Sequence, residues 1–382
     1  MITLGGVAIT IAPGAEGRVS VKKDNKELTD VFETCLMCAA CTCACYGKVV
    51  THKHTAQMKR SLNIKPSAAL KEILNFLSKT KKKSYLSLKI FNFLRITGAL
   101  ALLAKTKALK LLRHSHLYDI HLQIDKPVFK FAGENFNTNL KDIKCLYFMS
   151  CSADFIYPKV AKATMRVIEK FIGTVKPLGN PCCAALHFAH NNLSRAKQNA
   201  KKIILLYEEQ SKGKNIPLVT DCSSCAYQLK NFDEIFNGDE NWHKRALNFS
   251  RNVKDLSEIV EKNALRNNPD CEKITAHQSA CAYYKQNLST IELLKLISDN
   301  NFTQSAQDSV PCGGELGFNF TRPDFADVLL KRKIANIADT QSSTVVTTDG
   351  FSLCFIARGL KRYYPIAKVK HLSLLLEENI VK

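Results

Sequence analysis

The sequence predicts an α/β protein: a helical, cysteine-bearing N-terminal segment followed by two related α/β modules in tandem. Three observations predict it. The runs KCLYFMSC, TVKPLGNPCC and IPLVTDC are short and apolar, end at cysteine, and read as buried parallel strands. Residues 159–171 and 193–210 between them carry helical patterning. The arrangement then recurs, residues 273–360 repeating residues 143–230, with Cys151 and Cys182 31 positions apart and Cys281 and Cys312 the same.

In chain order, residues 1–46 form the first unit. MITLGGVAITI reads as a short strand or hairpin. Cys35, Cys38, Cys41 and Cys45 follow with the spacing C-x2-C-x2-C-x3-C. That is the bacterial ferredoxin spacing, in which soft thiolates on a tight turn wrap a cubane [4Fe–4S] cluster. The alternative is a cysteine-rich zinc loop. Tyr46 stands where ferredoxins carry proline, and Cys43 is an extra thiol. Either Cys43 or Cys45 is therefore the fourth ligand. No second such run exists, so one cubane is expected.

Residues 47–140 read as a basic helical linker. Between positions 46 and 130, eighteen Lys and Arg face only Glu72, Asp119 and Asp125, which places about +15 of the +21 net charge there. Pro66 and Ser67 open a helix that runs through Ser78, and residues 79–83 break it. From Tyr85 to Leu112 the cations do not share one helical face. The segment is thus a solvated helical hairpin packed on the next module, or a docking element for anionic lipid or an acidic partner. Nucleic acid is not expected, because no binding motif or stacking platform is present.

Module 1 spans residues 141–270 and module 2 residues 271–382. In an open α/β sheet the carboxyl ends of neighbouring strands face one crevice. Cys151, Cys182, Cys183, Cys222 and Cys225 follow three such strands, so they should converge on a metal or iron–sulfur site. Module 2 has lost thiols: Gly313 stands for Cys183, Gly350 for Cys222 and Leu353 for Cys225, with Cys354 one residue off register. Cys281, Cys312 and Cys354, with His277, make a vestigial or zinc-binding set. His187 and His190 either tune the nearby sulfurs or are ordinary helix residues, and Cys145 and Cys271 read as incidental thiols. Asp221 and Asp349 share a strand-end position and read as turn or cap residues. The loop from Gly313 to Gly317 lacks the Lys-Ser/Thr of a phosphate loop.

Fifteen cysteines in 382 residues, without a signal-peptide pattern at the start, suit metal binding in a reduced cytoplasm better than disulfides. No apolar run of about 18 residues predicts a transmembrane helix.

The order of these parts resembles the cysteine-rich CCG domain proteins. These include the B and D subunits of heterodisulfide reductase, the iron–sulfur subunits of glycolate oxidase and anaerobic glycerol-3-phosphate dehydrogenase, and the lactate-utilisation iron–sulfur protein. The resemblance covers roughly residues 30–380. It implies a noncubane [4Fe–4S] cluster held by Cys151, Cys182, Cys183, Cys222 and Cys225. It also implies an electron-transfer subunit between a flavoprotein dehydrogenase (glycolate, lactate or glycerol-3-phosphate type) and a quinone or other carrier. Further iron–sulfur or membrane-anchor subunits would be partners, and the cytoplasmic face of the inner membrane a peripheral location. The alternatives are a heterodisulfide reductase-like catalytic subunit, the third subunit of a fumarate reductase, and a zinc-binding interaction scaffold. The chain departs from the family in having one ferredoxin motif where two are usual, Ala184 where glycine follows the double cysteine, and an incomplete second site.

Overall fold

A computed structural model describes residues 2–4, 7–9, 26–43, 45–47, 49–106, 128–134, 142–268, 271–278, 289–306 and 310–380. The opening run forms an antiparallel pair, β1 (Ile2–Leu4) and β2 (Val7–Ile9). The first large sheet holds β3 (Cys145–Phe148), β4 (Val175–Pro177), β5 (Leu218–Thr220) and β6 (Val253–Asp255), all parallel, in the order β4-β3-β5-β6. The Pro158–Phe171 helix joins β3 to β4, and the Leu193–Ser211 helix lies between β4 and β5. Both match the helical stretches expected from the sequence.

The second sheet repeats this plan with β7 (Ile274–His277), β8 (Thr344–Thr347) and β9 (Lys368–His371), parallel and in that spatial order. Phe302 makes a parallel bridge to Ile274, the counterpart of the β3–β4 pairing. The duplication legible in the cysteine spacing is therefore a duplication of sheet topology.

A parallel sheet buries both faces. Along β3, Leu146 and Phe148 face a core of their own module with Ile203, Phe232 and Phe249. Cys145 and Tyr147 face the opposite way, into a core shared with Ala276, Val346, Leu372 and Leu376 of the second module. Each such buried side chain contributes roughly 1.5–3 kcal/mol, so the shared core binds the two halves firmly. They are closely apposed where Gly350 meets Ser152: a Cβ on Gly350 would stand 1.9 Å from Ser152 Oγ and 2.2 Å from its Cβ. Gly350→Ala should therefore cost about 1–3 kcal/mol by overpacking, read as a lower urea midpoint. An unchanged midpoint would mean the halves do not meet there.

The linker region is helical at Thr51–Ser61, Ala68–Leu77, Lys81–Ile96 and Ala99–Lys105. Ser67 caps the second of these by accepting from Leu70 N–H at 3.3 Å, and its own hydroxyl donates to Phe320 O at 2.6 Å. The lysine run does not break the helical region as expected. The break falls at Ser78–Thr80, and Lys81, Lys82 and Lys83 open the next helix. Cations are unfavourable in a first helical turn, but Lys81 is paired there: its Nζ lies 2.6 Å from the carboxylate of Asp154, a buried residue of the Cys151–Phe155 helix. Tyr85 Oη donates to the same carboxylate at 3.1 Å. The inner face of the Lys81–Ile96 helix is thus fixed against the first module beside Cys151. Its outer face exposes Leu86, Ile90 and Phe93, spaced along one helical stripe, with Lys82 and Lys83 at one end.

Candidate metal centre

The three strand ends of the first sheet deliver the five cysteines to one pocket. Cys151 opens the helix after β3, capped by Ser150. Cys182 and Cys183 lie in the loop after β4, and Cys222 and Cys225 stand at the start of the Ser223–Lys230 helix after β5. Their thiols form a continuous series of contacts: Cys151 with Cys182, Cys182 with Cys183, Cys183 with Cys225, and Cys225 with Cys222. Cys225 Sγ–H donates to Cys183 Sγ at 3.2 Å. Cys183, Cys222 and Cys225 are buried, and Cys151 and Cys182 are half-buried.

The backbone around the pocket is specialised. Ala184, directly after the double cysteine, has φ +72°. That left-handed conformation suits glycine and strains alanine, so the local geometry favours the glycine that this chain lacks. Asp221 fixes the strand ends by accepting from Tyr147 Oη at 2.8 Å and from Ser150 N–H at 3.0 Å. Asp349 of the second module accepts from Phe351 N–H at 3.1 Å and Ser352 N–H at 2.9 Å, which makes it a helix cap as expected. It also accepts from Cys222 Sγ at 3.3 Å, so the second half closes the site of the first.

The electrostatics show what the pocket needs. The neighbouring Cys182 thiol and burial push Cys151 well above the ordinary thiol value. Cys183, Cys222 and burial do the same to Cys225. For Cys222, contact with Cys225 pulls downward, but burial and the carboxylates of Asp349 and Asp221 outweigh it and bring it to about 12. Cys183 alone is lowered, to about 6, because Cys182 and Cys225 both donate to it. Five soft sulfurs in a buried pocket, with carboxylates and no ammonium or guanidinium among these influences, can ionise together only around a strongly positive centre. The donor set therefore fits an iron–sulfur cluster, which thiolates hold.

In the N-terminal motif, Cys35 and Cys41 lie close enough to Cys38 to act on its charge. Cys35 and Cys38 lie on an irregular loop in which Met37 and Ala39 have φ +58° and +63°, and Cys41 sits in the short Ala40–Cys43 helix. Cys45 follows; the Cys43 side chain lies outside the described residues. Burial pushes Cys38 up to about 12, and Cys35, Cys41 and Glu315 add to that push. Lys59 is buried beside the loop and its Nζ donates to Cys35 O at 2.9 Å, which holds a basic side chain against the loop. Leu316 lines the crevice of Cys35 and Met37 and also packs against the core that holds Cys182 and Cys183.

The second module differs from the expected set. Cys281 lies outside the described residues. Among the described residues, Cys312 meets His277 and Glu315, with one donor atom from each within 4.8 Å of the others. Cys354 is not in that group. It sits on the Gly350–Tyr363 helix, where a one-residue offset turns a side chain by about 100°, and it lines a separate apolar cavity. Glu315 was not singled out from the sequence, since a glutamate two residues past a glycine carries no metal signal. Its carboxylate accepts from Cys312 N–H at 2.7 Å and Gly313 N–H at 2.8 Å. Burial pushes Glu315 up, but His277 and Cys312 N–H outweigh it and hold it at about 2. The glycine-rich loop therefore cradles this chain's own carboxylate rather than a phosphate. The buried Lys333 ammonium adds a positive field at His277.

His187 and His190 are helix and loop residues tied to other elements. His187 Nε2 lies 3.4 Å from Ser78 Oγ, and His190 Nε2–H donates to Leu316 O at 2.8 Å. His52 bridges Thr42 Oγ1 and Tyr227 Oη, each at 3.1 Å. Burial lowers all three histidines to about 4. Unfolded, they would take up protons near pH 6.5. Their contribution to stability is therefore present above about pH 6.5 and is lost as pH falls toward 4. The urea midpoint should drop between pH 7.5 and pH 5, and a flat profile would mean the rings are hydrated. Cys145 is a buried core thiol, pushed up to about 12 by burial.

Residues 145–230 and 275–356 match the CCG cysteine-rich domain family. The chain thus carries two CCG cysteine-rich domains in tandem. The first CCG domain encloses all five converging cysteines, and the second encloses Cys312 and Glu315. Lactate utilization protein A of Shouchella clausii is 23% identical over 238 residues, which is 61% of this chain and 98% of that protein. Lactate utilization protein A of Oceanobacillus iheyensis is 21% identical over 250 residues, 62% of this chain and 98% of that protein. The probable glycolate oxidase iron-sulfur subunit of Bacillus subtilis is 23% identical over 241 residues, 61% of this chain but 54% of that protein. The chain thus spans nearly all of the first two and about half of the third.

Proposed function

We propose that this CCG protein is the iron–sulfur electron-transfer subunit of a multisubunit oxidoreductase. The observation that carries the reading is the unbroken series of five thiols from Cys151 to Cys222 in one buried pocket. Cys151, Cys182, Cys183, Cys222 and Cys225 would hold a noncubane [4Fe–4S] cluster; Cys35, Cys38, Cys41 and Cys45 would hold a cubane one. When bound, each cluster supplies one-electron chemistry. The chain's own residues position and insulate it: Lys59 offsets charge at the N-terminal loop, Asp221 and Asp349 orient the strand-end loops, and Leu316 lines the crevice beside Cys35. The second CCG domain is a metal-free structural half. Its Glu315 is already satisfied by two backbone N–H groups, and a zinc ion there would meet the field of Lys333.

The names of the relatives, lactate utilization protein A and a glycolate oxidase iron-sulfur subunit, support a small hydroxy acid as the ultimate electron source. A flavoprotein partner would carry out its oxidation, and a quinone would be the acceptor. No described helix is long and apolar enough to cross a membrane. The stripe of Leu86, Ile90 and Phe93 beside Lys82 and Lys83 instead fits peripheral contact with an anionic bilayer.

The test is pull-down of the full chain, without oxygen, from its source cells. Recovery of a flavin-containing dehydrogenase that reduces the bound clusters on addition of lactate, glycolate or glycerol 3-phosphate supports the reading. A chain that cleaves an organic disulfide by itself, with no flavoprotein partner, contradicts it.

A further inference from the structure

A cavity of about 210 Å³ lies at the junction of the linker helices, the first CCG domain and the second. Its walls are almost wholly carbon. Phe76 and Phe91 come from the linker, Phe155 from the first domain, and Phe320, Phe351 and Phe355 from the second. Cys151, one of the five converging thiols, is also part of the wall. A dry apolar cavity of about 150 Å³ is enough for a benzene ring, so one substituted six-membered ring fits and a dinucleotide does not.

The lining states what such a ring must be. Phenylalanine faces favour a flat, uncharged π-system. Of the lining residues only Glu72 and Lys79 carry formal charge, and Lys79 is exposed at the mouth. A small hydroxy acid would need a buried cation for its carboxylate, and the lining offers none. The Lys81–Ile96 helix contributes Ser87, Leu88 and Phe91 to this cavity while exposing Leu86, Ile90 and Phe93 on its outer side. The same helix therefore touches the cavity on one side and presents an apolar stripe on the other.

We propose that this cavity binds the head group of an apolar, flat redox carrier of the quinone class against the Cys151 wall. The inference rests on the electron-transfer reading above and goes beyond it by assigning the carrier a site. The Asp154 contacts with Lys81 and Tyr85 hold the cavity's linker wall in place, so they act as positioning groups for it.

The experiment uses the full chain with its clusters, and a short-chain benzoquinone bearing a photoreactive azide as probe. Iron is counted on the same samples. Label is expected within residues 68–91 and 350–356, competed by excess unlabelled short-chain benzoquinone. Ile73→Trp and Ser87→Trp fill the cavity from two different helices, and each should weaken labelling by about tenfold or more at unchanged iron content. Label elsewhere on the chain, label undiminished in both variants, or competition by a small organic disulfide but not by the quinone would overturn the proposal. Full iron without labelling would sink this site and leave the electron-transfer reading standing. Labelling without iron would keep the cavity and remove that reading.

Discussion

A Cys183→Ser variant is expected to lose about four irons per chain while the N-terminal site stays loaded. Cys183 stands in the middle of the thiol series and receives hydrogen bonds from both Cys182 and Cys225. It is the thiol of the five held low, by the hydrogen bonds from Cys182 and Cys225, which favours its thiolate form as an iron ligand. Serine cannot ionise there, and its hard oxygen suits iron–sulfide poorly. Because metal binding is also folding free energy, the variant's thermal midpoint should fall as well. Cys145→Ser is the control. That thiol is buried in the shared core and pushed up to about 12, so its loss should alter stability without changing iron. Equal iron in wild type and Cys183→Ser would remove the first CCG domain as a cluster site.

The second large effect is expected at Asp154. Its carboxylate is 2% exposed and accepts from Lys81 Nζ at 2.6 Å, Tyr85 Oη at 3.1 and 3.2 Å, and Gly133 N–H at 2.9 Å. Asp154→Ala leaves the buried Tyr85 hydroxyl and the Gly133 N–H without this acceptor. Breaking a buried charged pair costs roughly 3–5 kcal/mol. The Lys81 side chain is 31% exposed and can rehydrate, which places the cost near the lower end, about 3 kcal/mol. Asp154→Asn keeps an acceptor for Gly133 and Tyr85 and should lose less. Denaturant midpoints of the two variants measure this. Identical midpoints for wild type and Asp154→Ala would mean the linker is not docked on the Cys151 helix.

The parts legible in the sequence were those with local signals. Strands ending at cysteine, the 31-residue spacing and the Ser67 cap each announce themselves within a few residues, and the structure places them accordingly. The thiol convergence followed from strand order, because loops at one end of a parallel sheet must meet. What was missed depends on partners far away in the chain. Residues 79–83 read as a helix break, and the Asp154 carboxylate that lets Lys81 open a helix instead lies 73 positions on. Glu315 has no sulfur chemistry to mark it, and its role rests on two backbone N–H groups that a tight glycine loop turns inward. Cys354 looked one residue from register, a small step on a loop but a large rotation on the helix where it lies. The apolar cavity draws its walls from three separate regions, and no single stretch of sequence encodes it.

The most direct test of the central claim is to purify the chain without oxygen, count iron and acid-labile sulfide per chain, and record an EPR spectrum of the reduced sample. The account predicts about eight irons and eight sulfides, in two distinct cluster environments. Zinc with no sulfide would contradict it.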